Sequence, residues 1–317
     1  MVFSDLFFLF VFLPAFMLCY RLAGVFDTRD TAASDPSGLR STHPRRNIVL
    51  VVFSLLFYAW GEPVYVFLMV GSVAVNYLAG LWITRCPAGG VGRRFALISG
   101  LTVNVIMIGV FKYAGFIAEQ LCAVGITVPV PTVALPIGIS FYTFQSISYL
   151  VDVYRTTSMA QRRYTDLLLY ISMFPQLIAG PIVRYSTVAR EINNRNVSHD
   201  DVAEGVFRFM LGLGKKVILA NQFSDIATGF LSSQGLPDIT VGGAWIGILA
   251  FTFQIYFDFS GYSDMAIGIG RCLGFHFDEN FDHPYISRSV TEFWRRWHMS
   301  LGSFFRDYVY IPLGGNR

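Results

Sequence analysis

The feature that most constrains this chain is a series of long apolar segments, most of them close to the length that crosses a lipid bilayer. An α-helix needs about 20 mostly apolar residues to span the hydrocarbon core. The segments that meet this description are 3–24, 47–60 (short), 63–84, 95–118, 135–151, 205–223 and 240–257. A transmembrane β-barrel would instead show alternating segments of about ten residues. Because the runs are continuous, we predict an all-α fold, a polytopic transmembrane helical bundle.

Composition excludes the soluble and the disordered alternatives. Hydrophobic residues make up 54% of the chain and charged residues 14%, whereas soluble domains have about 45–50% and about 25%. Too little charge remains to coat a water-exposed surface, and the hydrophobic content is too high for disorder. The net charge of +3, without a basic stripe, indicates no nucleic-acid partner. The partner that composition predicts is the lipid bilayer.

The distribution of arginine among the loops predicts the topology. The loops 25–46 and 85–94 are rich in arginine, whereas 61–62, 119–134 and 224–239 contain neither lysine nor arginine. Positively charged loops tend to stay in the cytoplasm. The arginine-rich loops are therefore predicted to lie inside and the N-terminus outside.

One segment, residues 165–182, breaks this alternation. It is long enough to span, but a full crossing would place the arginines that follow it outside the cell. Pro175 and Pro181 interrupt the same run, and proline removes helix hydrogen bonds. We predict a re-entrant segment, which requires surrounding protein or a water-filled cavity. A cavity opening to the cytoplasm is expected near 174–184, and the absence of repeats predicts a single domain over 1–317.

The segment 291–301 carries the strongest chemical signal. Read as one helix, it places Trp294, Trp297 and His298 on an apolar face that continues to Leu301 and Phe305. An ionisable group on the buried face of a membrane protein is a functional candidate. A neutral histidine there can accept the proton of an attacking hydroxyl. The alternative is an interfacial helix anchored by tryptophan and arginine, in which His298 is a hydrogen-bonded bystander.

Two aspartates, Asp258 and Asp264, follow the last apolar run. Six helical residues separate them by about 120° in projection, so they do not form a carboxylate dyad on one face. At least one is expected to pair with an arginine, for example Arg271 or the Arg295/Arg296 pair, and to line a polar interior. A structural ion pair and a catalytic role both remain open.

Other polar residues give weaker signals. Gln145 lies in an apolar helix with other polar residues and can bond a neighbouring helix or a ligand, the former being the commoner use. His276 and His283 have acidic neighbours but match no standard metal spacing. We interpret 276–283 as a solvated cytoplasmic loop. The scattered cysteines lack metal-site spacing as well, so no metal site is predicted.

Several segments, taken together, carry a resemblance to a known family. In order along the chain they are 57–63, 111–113, 135–145, 152–155, 174–185, 258–264, 293–298, 306–308 and 311–317. Their residues and their order resemble the membrane-bound O-acyltransferase family, and within it the bacterial alginate O-acetyltransferase branch. The similarity runs from the first residue to the last, and so many motifs in one order are more specific than any single one.

This resemblance implies an enzyme that transfers an acyl group to a hydroxyl acceptor. The implied donor is a cytoplasmic thioester, acetyl-CoA or carrier-linked, and no bound cofactor is implied. The implied acceptor is an exported polysaccharide, reached with periplasmic acetylation proteins from a bacterial inner membrane, with the N-terminus in the periplasm. His298 matches a family histidine and is the implied catalytic base. Our candidates for substrate binding or tunnel lining are Gln145, Pro175, Gln176, Asp258, Asp264, Arg295 and Trp297.

The chain departs from the family pattern in one respect. The family carries a second histidine in a later Trp-His-Gly context, and the sequence ends at Arg317 before such a motif. We therefore expect either a piece of a longer protein or a truncated product that is inactive alone. Two other functions stay open: D-alanyl transfer to teichoic acids, and a non-catalytic transporter or scaffold. The lack of a second broken segment counts against transport.

Overall fold

A computed structural model describes residues 1–30, 43–129, 134–156, 158–178, 180–231 and 239–315. Within these ranges the regular elements are helices and no strand is present, which confirms the predicted all-α class. The α-helices are α1 (Leu13–Asp30), α2 (Pro44–Gly61), α3 (Tyr65–Arg85), α4 (Val91–Ile108), α5 (Ala114–Ala123), α6 (Ile139–Tyr154), α7 (Tyr164–Ser172), α8 (Phe174–Leu177), α9 (Tyr185–Asn193), α10 (His199–Gly214), α11 (Asn221–Leu231), α12 (Val241–Cys272), α13 (Val290–Arg296) and α14 (Met299–Phe305). π-Helical turns extend or join some of them, at Phe8–Phe12, Gly109–Tyr113, Lys215–Ala220 and Arg306–Tyr310.

Several of the predicted spans meet the length and hydropathy of a membrane crossing. The described helices that do so are Phe8–Asp27, Tyr65–Arg85, Val91–Ala123 and Val241–Cys272. The predicted spans 47–60 and 205–223 also lie in helices, whereas 135–151 is helical only from Ile139 onward. Large apolar side chains such as Phe67 and Leu78 are mostly exposed on these helices. Such surfaces suit contact with lipid, since a protein surrounded by water rarely exposes so much apolar area.

The chain divides into two compact units. The larger unit comprises Phe16–Ile178, Ile182–Asn194 and Phe304–Arg317. The smaller unit comprises Met1–Ala15, Ala179–Pro181 and Arg195–Ser303. The single domain predicted over 1–317 stays a prediction.

In the larger unit, polar side chains link neighbouring helices. Asn76 on α3 and Asn104 on α4 are fully buried and exchange hydrogen bonds through their amides, at 2.7 and 3.3 Å. Arg93 on α4 donates to the carbonyl of Tyr154 at the end of α6, at 2.8 Å. Interhelical bonds of this kind hold helices together where lipid provides no hydrophobic driving force between them.

The predicted re-entrant segment is a broken helix in the larger unit. α7 has nine residues, about 14 Å at 1.5 Å per residue, which is less than half of a hydrocarbon core. The chain leaves the helix at Met173, and α8 has only four residues, including Pro175. The predicted interruption is thus confirmed, and the re-entrant course itself stays a prediction. Phe174 holds the break, because its ring packs against Phe16 and Phe57 with centroids 5.2 and 5.6 Å apart.

In the smaller unit, α12 contains the predicted apolar span 240–257 from Val241 onward and continues to Cys272, over 32 residues in all. Asp258 and Asp264 lie in this helix, and their carboxylates have cationic partners, so the polar run does not need to leave the helix. Glycines also bring α10 close to α12. A Cβ atom built on Gly212 would lie 2.5 Å from the carbonyl oxygen of Gly261, and one on Gly268 would lie 2.5 Å from that of Gly205.

Candidate active site

His298 lies in the smaller unit at a break between two short helices. α13 ends at Arg296, Trp297 is extended, and His298 adopts a left-handed backbone with φ of +47°. The single helix predicted over 291–301 was therefore wrong. The predicted buried stripe was wrong as well, since Trp294 is 60% exposed and Phe305 45% exposed.

The break has a physical cause in a second segment of the chain. Residues 280–282 run antiparallel to 296–299 and compete for their backbone groups. The N–H of Asp282 donates to the carbonyl of Arg296, and the N–H of Met299 donates to the carbonyl of Asn280, both at 3.0 Å. Phe281 and Trp297 form the bridge between the two segments. A helix continuing through 297–299 would lose these bonds.

Aromatic rings surround the imidazole of His298. The ring of Phe259 meets it edge to face with centroids 4.7 Å apart, and the ring of Phe281 lies parallel at 6.5 Å. Burial lowers the pKa of His298 to about 4, because the apolar surroundings disfavour the charged form. The imidazole is therefore neutral at physiological pH, which is the state that a general base requires.

Two polar side chains meet the imidazole on its Nδ1 side. Asn280 is 1% exposed, and its Oδ1 lies 2.9 Å from Nδ1 of His298. The same Oδ1 accepts from the backbone N–H of Ser300 at 3.3 Å and from its hydroxyl at 2.8 Å. The described part of the chain offers the amide nitrogen of Asn280 no partner, although it is buried.

A cavity of about 500 Å³ adjoins this group within the smaller unit. Asn280, Phe281 and Met299 line it and are also the neighbours of His298. The buried hydroxyls of Ser260 and Ser263 line it too, and neither finds a partner among the described residues. The volume falls in the range of small-molecule sites. Buried polar atoms need hydrogen-bond partners, so this lining suits a ligand rich in hydroxyl groups.

A charged network forms one side of the cavity. Asp264 on α12 is buried, and its two oxygens accept from Arg208 at 2.7 Å and from Lys215 at 2.5 Å. Arg208 also reaches Glu279 at 2.5 Å. Buried charges persist only when paired. The network therefore gives the carboxylate of Asp264 two cationic partners and orders the cavity wall.

The two predicted aspartates have separate cationic partners. Asp258 binds Lys216 at 2.6 Å, while Asp264 binds Arg208 and Lys215. The predicted arginine partner of one aspartate is thus present, but it is none of the three arginines that the sequence suggested. Arg271 pairs with Asp201 and Glu204 instead. The other two expected partners were also wrong: Arg296 pairs with Glu292 and Asp282, and Arg295 is exposed. The cations that contact α12 lie on α10 and on the π-helical turn after it, so these cations pair with the two aspartates in place of the arginines that the sequence suggested.

Three of the predicted site residues belong to the larger unit. Gln145, Pro175 and Gln176 are fully or almost fully buried there. Gln176 donates through Nε2 to the carbonyl of Tyr170. Neither side-chain atom of Gln145 has a partner in the described part of the chain. Their predicted contact with substrate stays a prediction, as do the roles of Asp258, Arg295 and Trp297.

Segments that carried the resemblance also meet in the larger unit. Tyr308 donates to Asp152 at 2.8 Å, and Asp307 pairs with Arg184 at 2.7 Å. A hydrogen bond from Arg306, with the nearby charge of Arg184, lowers the pKa of Asp307. Residues 306–308 are thereby fixed to the segments around 152 and 184. This cluster is a structural link.

The sequence interpretation missed Asn280, Arg208 and Lys215. Residues 276–283 were interpreted as a solvated loop. The histidines and acidic residues of this loop are exposed, as predicted, but Phe277 is 7% exposed and Asn280 1% exposed. The signal for Lys215 was available, since a charge inside an apolar segment marks a functional position. Asn280 carried no such signal, because its partners lie 18 and 20 residues further along the chain.

Comparison with known protein families gives the family of this chain. Residues 159–317 match the model of MBOAT, the membrane-bound O-acyltransferase family. The chain belongs to this family. It is a membrane protein, since the family is membrane-bound and the structure contains long apolar helices.

Curated members of the family are similar over the whole chain. The probable alginate O-acetylase AlgI of Pseudomonas aeruginosa is 45% identical over 325 residues, covering 100% of this chain and 58% of the relative. The peptidoglycan O-acetyltransferase of Helicobacter pylori is 36% identical, covering 100% of this chain and 62% of the relative. The teichoic acid D-alanyltransferase of Streptococcus thermophilus is 32% identical over 56% of this chain and 44% of its own length. The chain spans about three fifths of the length of the first two relatives.

Proposed function

We propose that the protein is an O-acyltransferase that moves an acetyl group from a cytoplasmic thioester towards hydroxyls of an exported polysaccharide, in the manner of alginate O-acetylation. The observation that carries the proposal is the neutral, half-buried imidazole of His298 beside a polar cavity. The names of the relatives at 45% and 36% identity support acetyl transfer to a cell-envelope polymer. The hydroxyl-matching lining of the cavity supports a sugar acceptor.

The proposed reaction uses His298 as general base. The imidazole takes the proton of the acceptor hydroxyl, and the oxygen attacks the carbonyl carbon of the thioester. The new C–O ester bond forms as the C–S bond breaks, and the departing thiolate takes back the proton from the imidazolium. Acetyl-CoA or a carrier-linked thioester supplies the acetyl group as a substrate, and no resident cofactor or metal takes part. General bases contribute about 10²–10⁴-fold to such reactions.

The test is the acetyl content of the polysaccharide made by cells in which only the His298→Ala variant is present. We expect acetylation to fall by about 10²-fold or more, with the protein still in the membrane. His276→Ala is the matched control, because its side chain is 56% exposed and lies outside the cavity next to His298. Unchanged acetyl content in the His298→Ala strain would refute the catalytic assignment.

The proposed location is a bacterial inner membrane, with the N-terminus in the periplasm and periplasmic acetylation proteins as partners. The arginine-rich loops support this orientation. A cysteine placed at Ser37, which lies outside the described residues, is expected to react with an impermeant reagent only after the membrane is permeabilised. Labelling in intact spheroplasts would reverse the proposed topology.

D-alanyl transfer to teichoic acids is the second candidate, favoured by the relative at 32% identity. The two functions differ in the group that is transferred. Mass spectrometry of the group released from the polymer by mild base distinguishes acetate from D-alanine. Release of D-alanine would replace the first proposal with the second.

A further inference from the structure

We propose that Asn280 is a positioning residue that holds His298 in the tautomer with hydrogen on Nδ1, so that the lone pair of Nε2 is the base. This inference rests on the proposed function of His298. Asn280 reaches the imidazole from the loop between α12 and α13, and its side chain is almost fully buried.

The orientation of the Asn280 amide follows from its partner on the backbone. The N–H of Ser300 can only donate, and it lies 3.3 Å from the amide atom that also faces His298. That atom must therefore be the oxygen. An oxygen can only accept, so Nδ1 of His298, 2.9 Å away, must carry the hydrogen. A neutral imidazole has one hydrogen, and Nε2 is left with the free lone pair.

Backbone contacts also hold Asn280 and His298 next to each other, in addition to the side-chain hydrogen bond between them. The carbonyl of Asn280 accepts from the N–H of Met299 at 3.0 Å, so the residues that flank the imidazole in space and in sequence are bonded together. His298 is held in a left-handed conformation that non-glycine residues rarely adopt. Such conformations persist where the surroundings over-determine them. The ring is thus fixed in both position and tautomer.

A neutral amide differs from a carboxylate in what it does to the proton affinity of the ring. A carboxylate at this distance would favour the imidazolium and raise its pKa, whereas an amide oxygen orients the ring without adding charge. The rings that face the imidazole belong to Phe259 and Phe281. The charged and titratable side chains that line the adjoining cavity are Arg208, Lys215, Tyr256, Asp264, Glu279, Asp282 and His283.

The experiment measures the pH dependence of acetyl transfer in membranes containing the full protein and its natural partners. Asn280→Asp keeps the shape and an acceptor oxygen but adds a charge. We expect its acid limb to move at least about one pH unit higher than that of the wild type, because the added carboxylate stabilises the imidazolium. Asn280→Ala is expected to lower kcat by about 10-fold or more with KM little changed, since the tautomer is no longer fixed.

His276→Ala is the matched control. Its side chain is 56% exposed and lies outside the cavity, so its kcat and its acid limb are expected to match those of the wild type. If the alanine variant at 280 does not reach the membrane, the near-isosteric aspartate variant decides the question.

An unshifted acid limb in Asn280→Asp would overturn the positioning role. That failure is distinguishable from failure of the proposed function, because His298→Ala would still abolish transfer. If His298→Ala retained full transfer, both would fall together.

Discussion

Two breaks in the helical pattern lie in motif segments of this protein, and they have different causes. In the larger unit, the chain leaves α7 at Met173, and Pro175 follows two residues later. In the smaller unit, the chain leaves α13 at Trp297 without a proline or glycine nearby, because residues 280–282 take its backbone hydrogen bonds. The break at Met173 can be predicted from the local sequence, because a proline follows it. The break at Trp297 depends on the segment 280–282, which lies well before it in the chain.

The difference matters because the second kind of break carries the candidate base. A side chain on a continuous helix shares the direction of its neighbours. A left-handed residue between two helices does not, and His298 is directed by its partners instead. The hydrogen bonds from 280–282 therefore serve the position of the imidazole as well as the course of the chain.

The largest expected effect is the loss of transfer at His298, where two substitutions distinguish the role of the imidazole from the role of the backbone conformation. His298→Gly and His298→Ala should both lose transfer by about 10²-fold or more. The glycine variant should be the more stable of the two by about 1 kcal/mol, because glycine adopts the left-handed backbone without the penalty of a Cβ atom. Thermal unfolding in detergent measures the difference. Equal stabilities would mean that residues 280–282 do not impose this backbone at position 298.

A smaller effect is expected at the break in the larger unit. Ser54 on α2 accepts the N–H of Phe174 at 3.1 Å, in fully buried surroundings. Ser54→Ala leaves that N–H without its partner and should lower the free energy of unfolding by about 1–3 kcal/mol. Ser99→Ala is the matched control, since Ser99 bonds only within its own helix and is partly exposed. Equal unfolding temperatures for the two variants would show that the hydrogen bond to Ser54 does not stabilise this break.

The fold followed from the sequence to the extent that its signals were local. Runs of apolar residues predicted the helices, and Pro175 predicted the broken segment. The apolar span 240–257 covered only part of α12, because apolar length alone does not show that Asp258 and Asp264 have Lys216 and Lys215 beside them. The periodicity of apolar residues along one helix does not reveal an ion-pair partner on another helix.

The candidate site was predicted in part, and for a reason that was partly wrong. His298 was chosen as a polar residue on a buried helical stripe, but the stripe does not exist. The choice was sound because aromatic rings, those of Phe259 and Phe281, do surround the imidazole. Asn280 could not be found in this way, since its function depends on which atoms of Ser300 and His298 it meets.

The glycine contacts between α10 and α12 set the dimensions of the charged wall of the cavity. Gly212 lies between Arg208 and Lys215 on one backbone, and Gly261 is three residues from Asp264 on the other. With no side chains between them, the two backbones meet directly. The spacing of the backbones therefore determines how far Arg208 and Lys215 lie from the carboxylate of Asp264. A Cβ atom on Gly212 would meet α12 at 2.5 Å, so a side chain there would move the two cations away from Asp264.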